Sequence, residues 1–463
     1  MRYVSTRGAA PVLGFGDVLL TGLADDGGLY VPEAWPRLAD GALARFADAS
    51  YADVATEVMA PFVAGTLEPD ELADLVAAAY ATFDVPEVTP LVELGDDRHL
   101  LELFHGPTLA FKDVALQLVG NLFERELAAR GETVTVVGAT SGDTGSAAIE
   151  ALRDRTGIEV FIMHPVGRTS EVQRRQMTTV DAPNIHNIAV EGTFDDCQDL
   201  VKGLFADEAF RTRRRLSAVN SINWARVMAQ IVYYVVAAAR LRGGAGPVSF
   251  AVPTGNFGNV FAGHGAVRMG VPVRQLVIGS NRNDVLPRWL ADGVLERRQV
   301  HPTLSPSMDI QISSNHERLL FELLGRDGTA VAEVMAAFRA DGRAELPPEA
   351  MDQVAETWSA ARLDDDETVA EIARVHERTG HIIDPHTAVG VGAADRCRND
   401  AAVPMVCLAT AHPAKFPDAV ERAIGIRPSL PPRLADLFER PEHFDVAPAD
   451  LDVIRQHIDA TLG

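Results

Sequence analysis

"TVTVVGATSGDTGSAAIEALRDRTGIEVFIMHP", residues 133–165, reads as strand, loop, helix and strand in one unbroken run. Residues 133–140 are β-branched and apolar. Residues 143–155 carry small and apolar side chains at helical spacing, and 158–165 form a second apolar strand. Two strands joined through a helix lie parallel, because a hairpin cannot connect them. The alternation continues. "SEVQRRQMTTV" is a helix, "NIHNIAV" a strand, and "DDCQDLVKGLFADEAF" and "NWARVMAQIVYYVVAAARL" are helices. "PVSFAVPT", "VRQLVIGS" and "VPMVCLAT" (403–410) are further strands, with the helix "NVFAGHGAVRMG" between the first two and helices recurring over 315–399. The class is therefore α/β, with parallel sheets flanked by helices. Residues 1–92 differ. Tyr51–Ala64 and "EPDELADLVAAAYATF" have helical spacing, and "DVPEVTPLVEL" reads as a linker, so a mostly helical N-terminal domain is expected there, ahead of a catalytic region 93–463.

The charge sum is −23, from 42 Lys and Arg against 65 Asp and Glu. So acidic a chain lacks the basic patch that nucleic-acid binding needs, and it opposes anionic ligands, which a local pocket must then hold. Cys197, Cys397 and Cys407 stand far apart, with no CxxC pair. Neither a zinc knuckle nor a disulfide framework is indicated, and a reducing cytoplasm is expected. No run of ~18 apolar residues offers a membrane span. The N-terminal stretch has no basic segment leading into a long apolar one, so no signal peptide is expected. "HERTGH" (376–381) places its histidines five apart, which takes them off a common helix face, and no metal site is expected.

Ligands of such sheets bind beyond the carboxyl ends of the strands. Three loops stand there: "SGDTG" (141–145), "GNFGN" (255–259) and "ATAHPAKF" (409–416). In "GNFGN" the two glycines let backbone N–H groups turn inward at a helix start, which makes a phosphate cradle without lysine or arginine. A plain strand-to-helix turn is the bland alternative. "SGDTG" offers hydroxyls, backbone donors and a carboxylate; equally, Ser141 or Asp143 could simply cap the helix.

"HGPTLAFKDVALQ" (105–117) places Lys112 behind Leu109, Ala110 and Phe111, just ahead of a helix over 114–127. Burial disfavours an ammonium, and a neutral amine attacks carbonyls. The alternative is a lysine that snorkels to the surface. A Schiff-base lysine and a lysine-free phosphate cradle together suit an aldehyde carrying a phosphate, for which pyridoxal 5′-phosphate is the obvious candidate.

With these segments the chain resembles the threonine synthases, pyridoxal-phosphate enzymes of fold type II. "STRG" (5–8), "DGGLYVP" (26–32), "HGPTLAFKDVALQ", "SGDTGSAA", "NSINWARVMAQ", "PTGNFGN", "SSNHERLL" and "ATAHPAKFPD" match in one order along essentially the whole chain. The resemblance implies large and small subdomains, the smaller roughly 130–225 and inserted in the larger. It implies that Lys112 holds the cofactor, that Gly255, Asn256, Phe257, Gly258 and Asn259 bind its phosphate, and that Thr410 meets the pyridine nitrogen. Asp143 falls where related enzymes often have an asparagine near the ring 3′-oxygen. An ionised aspartate cannot donate a hydrogen bond, so its role there differs. The implied reaction converts O-phospho-L-homoserine and water to L-threonine and phosphate, the last step of threonine biosynthesis. Ser141 and Thr144 would hold the substrate carboxylate end, and Asn223 and Arg226 its phosphate. By spacing alone, Arg226 is better read as a surface arginine paired with an acid. A serine or threonine dehydratase-like lyase is the neighbouring alternative, and a non-catalytic relative of the fold a remoter one. A monomer or small homo-oligomer is expected.

Overall fold

The computed structural model describes residues 1–218 and 220–463. Contacts divide them into two units: Met1–Ala115 with Ser221–Pro428, and Leu116–Asn220 with Ser429–Gly463.

The first unit is built on a six-stranded sheet, in the order Trp358–Arg362, Val273–Ser280, Val248–Pro253, Met405–Ala409, Arg98–Glu102 and Leu91–Gly95. All neighbours are parallel except the last pair. The central strands are buried along their whole length, as a sheet covered on both faces requires. On one face Leu100, Ala251, Val277 and Met405 pack with Ile372, Ala388 and Val391 from two helices. The Trp224–Arg240 helix is buried from Trp224 to Ala239, as an interior helix is, and carries Arg226 and Gln230 as buried polar side chains.

The second unit holds a five-stranded, all-parallel sheet: Asp445–Pro448, Ile185–Glu191, Ile158–Pro165, Val134–Ala139 and Leu216–Ser217. Phe161, Met163, Ile188 and Val190 pack with Cys197, Leu200 and Leu204, and with Ile454 and Ile458 from the C-terminal helix.

Four expectations change. Residues 1–92 contain, besides helices, a three-stranded antiparallel sheet of Leu13–Gly14, Arg2–Ser5 and Tyr30–Pro32. They also join the first unit. Thr6 and Arg7 both donate to the buried Glu317 carboxylate, and the fully buried Arg318 donates to the Tyr30 carbonyl. The smaller unit is not 130–225 alone, since the C-terminal segment from Ser429 completes it. The tail of "DVPEVTPLVEL" is the strand Leu91–Gly95, an edge strand whose register with Arg98–Glu102 shifts between Glu93 and Gly95. The run 195–210 is two helices, Phe194–Ala206 and Glu208–Arg214, broken at Asp207, which caps the second through the Phe210 N–H.

Candidate active site

Lys112 is the first residue of the helix Lys112–Arg130 and is largely buried. Its Nζ lies 5.5 Å from the centre of the Phe111 ring. The chain reaches it through a constrained turn. Leu109 sits at φ +62°, a left-handed conformation costly for a branched side chain, so the surroundings must hold it there. They do so through backbone pairing. The Phe111 N–H donates to the Thr410 carbonyl at 2.8 Å, and the His412 N–H to the Leu109 carbonyl at 3.0 Å. Thr410, at the carboxyl end of Met405–Ala409, is thereby tied to the residue preceding Lys112.

Below the turn lies a network that sequence reasoning missed. Asp113 is fully buried and accepts the Thr108 N–H and hydroxyl at 2.8 and 2.7 Å. The fully buried Lys415 donates to the Thr108 carbonyl at 2.7 Å. Burial pushes the Asp113 carboxyl up, against the pull of the Thr108 bonds and the Lys415 charge. Gly106 is needed here, since a Cβ would stand 2.4 Å from that of Asp113. The adjacent "KD" and the lysine of "AHPAKF" were the available signals.

The 255–259 loop is shaped differently from the sequence expectation. Its left-handed residue is Phe257, at φ +67°, not a glycine. The Phe257 ring anchors the turn, stacked 5.6 Å from Trp358 and edge-on to His316. The glycines serve close approach. A Cβ on Gly255 would stand 2.8 Å from the Ser307 carbonyl oxygen, and one on Gly258 3.2 Å from Asn315 Nδ2. The carbonyls of Gly255 and Asn256 are both occupied by the "SSN" segment: Ser313 donates to the first at 2.6 Å, and the Asn315 N–H and amide to the second at 3.0 and 2.9 Å. Peptide planarity then turns the following N–H groups the opposite way. The Gly258–Met269 helix starts with no side-chain cap, which leaves its first donors open. Inside the loop, Asn259 Nδ2 is buried with no hydrogen-bond partner.

Arg226 lies in the first turn of Trp224–Arg240, buried, and paired with no acid. Its Nε and Nη1 have no hydrogen-bond partner, and burial lowers its pKa to about 10. The surface reading of this arginine is thus corrected. Asn223 is engaged at both ends: Oδ1 caps the helix at the Ala225 N–H, and Nδ2 donates to the Leu19 carbonyl. The loop before it adjoins the 255–259 turn, because Asn315 Nδ2 also donates to the Ser221 carbonyl at 3.0 Å.

In the second unit, "SGDTG" is not a side-chain cap. The N-cap position of Asp143–Leu152 is Gly142, and Thr140 Oγ1 takes the N–H groups of Gly142 and Gly145 at 3.0 and 2.9 Å. Ser141 is exposed, Thr144 half-buried and Asp143 buried. Gln173 donates to Asp143 Oδ1 at 2.8 Å, and the Ser170 hydroxyl to Gln173 Oε1 at 3.0 Å. Gln173 was not foreseen. Gly142 makes room for it, since a Cβ there would fall 2.5 Å from Gln173 Cδ.

Among the described residues no cluster of His, Cys, Asp and Glu could hold a metal ion, and no helix is long and apolar enough to cross a membrane. Three family models match: the threonine synthase N terminus over 2–80, the pyridoxal-phosphate dependent enzymes over 84–345, and the threonine synthase C-terminal region over 387–458. Threonine synthase of Pseudomonas aeruginosa is 53% identical over 99% of this chain and 98% of its own. The structure of PLP-bound threonine synthase from Brucella melitensis superposes with a TM-score of 0.98 at 50% identity, covering 100% of this chain and 99% of that one. The yeast threonine synthase structure gives 0.95 at 40% identity, covering 100% and 98%. The Lys112 segment, the 255–259 turn and the buried Arg226 therefore stand in a chain that belongs to the threonine synthase family of pyridoxal-phosphate-dependent enzymes.

Proposed function

We propose that these residues carry the family's reaction, in which O-phospho-L-homoserine and water give L-threonine and phosphate. The enzyme is a pyridoxal-phosphate-dependent lyase of amino-acid biosynthesis. The residues present fit that cofactor's phosphate: a turn that a Cβ would fill, an uncapped helix start and an orphaned buried amide. When bound, the cofactor supplies an electron sink that makes the substrate's α- and β-protons removable.

The chain supplies the rest. Lys112 Nζ anchors the cofactor and then carries protons at the substrate's Cα and Cβ. The 255–259 backbone donors hold the cofactor phosphate, and the Thr410 hydroxyl meets the pyridine nitrogen. Asp143, held by Gln173, takes a place near the ring as an acceptor. Ser141 and Thr144 bind the amino-acid carboxylate. Arg226 receives the substrate phosphate, and Asn223 orients that helix turn.

One observation carries this reading: Arg226 is a buried cation with two unpaired donors. A buried charge without a partner is costly, and an anionic ligand offsets that cost. A chain of net charge −23 needs such a local cation to receive a dianion. The test is phosphate release from O-phospho-L-homoserine with threonine analysis. Keto-acid formation from serine or threonine, without phosphate release, would instead mark a dehydratase. We also place the protein in the cytoplasm, as a monomer or small homo-oligomer without nucleic-acid partners.

A further inference from the structure

Asn259 is placed so that one end of its amide is spoken for and the other is not. Tyr233 Oη donates to Asn259 Oδ1 at 2.5 Å. Tyr234 Oη lies 3.0 Å from the same oxygen and 2.9 Å from the Asn259 carbonyl. Both phenols are fully buried on the Trp224–Arg240 helix. The opposite amide orientation would face Nδ2 toward both phenol oxygens and leave the Tyr233 hydroxyl a buried donor without an acceptor. With Oδ1 toward the tyrosines, both phenol hydroxyls have an acceptor. Its Nδ2 is buried, unpartnered, and held at the first turn of Gly258–Met269, where the helix dipole favours an anion.

A second donor set shares that side. Arg226 and Tyr233 are seven apart on one helix, hence on one face. The Arg226 charge acts on the Tyr233 phenol, whose pKa burial raises well above its ordinary value, so the hydroxyl stays a donor. Two buried groups, Asn259 and Arg226, thus each present N–H donors without a hydrogen-bond partner.

We propose that Tyr233 and Tyr234 are positioning residues that lock the Asn259 amide as a donor to a phosphate monoester. The inference rests on the 255–259 loop being a phosphate site. Two phosphates share that chemistry, the cofactor's and the substrate's, and the experiment separates them.

The discriminating variant is Asn259→Asp. An aspartate still accepts both phenol hydroxyls, so the tyrosine pairing survives the change, and the thermal midpoint reads what burying its charge costs. The aspartate has no donor, and it sets a negative charge against the phosphate. Holoenzyme would be dialysed against phosphate buffer, with retained cofactor read by absorbance, beside the Michaelis constant for O-phospho-L-homoserine and the thermal midpoint. A hydrogen bond to a charged group predicts a loss of about 10- to 150-fold. Loss of that size in cofactor retention assigns the amide to the cofactor phosphate. The same rise in KM with cofactor retained assigns it to the substrate phosphate. Neither change, in a protein of parental thermal midpoint, overturns the proposal.

Should the aspartate variant not fold, Tyr233→Phe serves alone. It removes one of the two hydroxyls that hold Oδ1 while keeping the packing, and a roughly three- to tenfold weakening of the same constant is expected. Parental values would sink the idea. Gly258→Val is the control for the underlying site. If it retains cofactor like the parent, the cradle lies elsewhere; if it loses cofactor while Asn259→Asp and Tyr233→Phe change neither cofactor retention nor KM, only the amide's role falls.

Discussion

At the scale of single residues, two buried basic side chains matter and differ in their company. Lys112 sits at a helix start with its Nζ 5.5 Å from the centre of the Phe111 ring, and the next residue, Asp113, belongs to the network with Thr108 and Lys415. Borohydride reduction followed by peptide mapping should tag the 105–117 peptide. A tag on Lys415 or Lys202 would place the anchor elsewhere. Lys112→Ala should abolish turnover, because anchor and proton carrier go together. Arg226 has unpaired donors and no neighbouring acid. Arg226→Ala should lower kcat/KM for O-phospho-L-homoserine by at least about 10- to 150-fold, the worth of a hydrogen bond to a charged group. It should leave the cofactor absorbance band in place. An unchanged specificity constant would remove Arg226 from the substrate site, and a lost band would move it to the cofactor's. Asp143 shows why a single residue cannot be read alone. Its carboxylate accepts from Gln173, thirty positions further along the chain, at 2.8 Å.

At the scale of elements, the chemistry sits where strands end. Val248–Pro253 leads into the 255–259 turn, Met405–Ala409 into Thr410, and Val134–Ala139 into "SGDTG". Each turn is held from outside its own element. The phosphate turn leans on the 305–315 segment: Gly255 packs against Ser307, and its carbonyl accepts from Ser313. Ser307 is held in turn, its N–H donating to His386 Nε2 at 3.2 Å while His386 Nδ1 meets the buried Asp384 at 2.7 Å. Gly255→Ala should therefore push against backbone rather than a yielding side chain. Overpacking of this kind costs ~1–3 kcal/mol. Urea unfolding should show a loss of that order, with weakened cofactor retention at concentrations where the fold persists. A variant that keeps both would mean that the turn has slack the geometry does not reveal.

At the scale of the whole molecule, acid should destabilise the protein through a buried histidine. His316 lies buried against Trp289, at 4.1 Å between ring centres, with Nε2 unpaired. Burial lowers its pKa to about 3, against ~6.5 in the unfolded chain. Between those values the unfolded state takes a proton that the native state refuses. Stability thus rises with pH across that window and is lost as pH falls from ~6.5 toward 3, by up to roughly 1.4 kcal/mol per unit. His316→Phe keeps an aromatic ring in the site and removes the titrating group. Its urea midpoints from pH 7 to 4 should fall less steeply than the parent's. Parallel slopes would show that other groups govern the acid limb.

The sequence by itself determined the α/β class, most strands and helices, and the three loops at strand ends. These follow from local periodicity and from glycine, hydroxyl and amide residues at fixed offsets. It also marked Lys112 through the apolar residues packed before it. Pairing and burial were decided by partners far along the chain. Thr6 donates to Glu317 across 311 positions, which is why residues 1–92 join the first unit rather than stand apart. The four-residue strand Asp445–Pro448 has little pattern of its own and exists because Ile185–Glu191 offers it an edge. Arg226 looked like a surface arginine because helical spacing records which residues share a face, not what covers that face. The orientation of the Asn259 amide likewise depended on two phenols from another helix. Hydrogen-bond direction belongs to a pair of groups brought together by folding, and no single position in the sequence carries it.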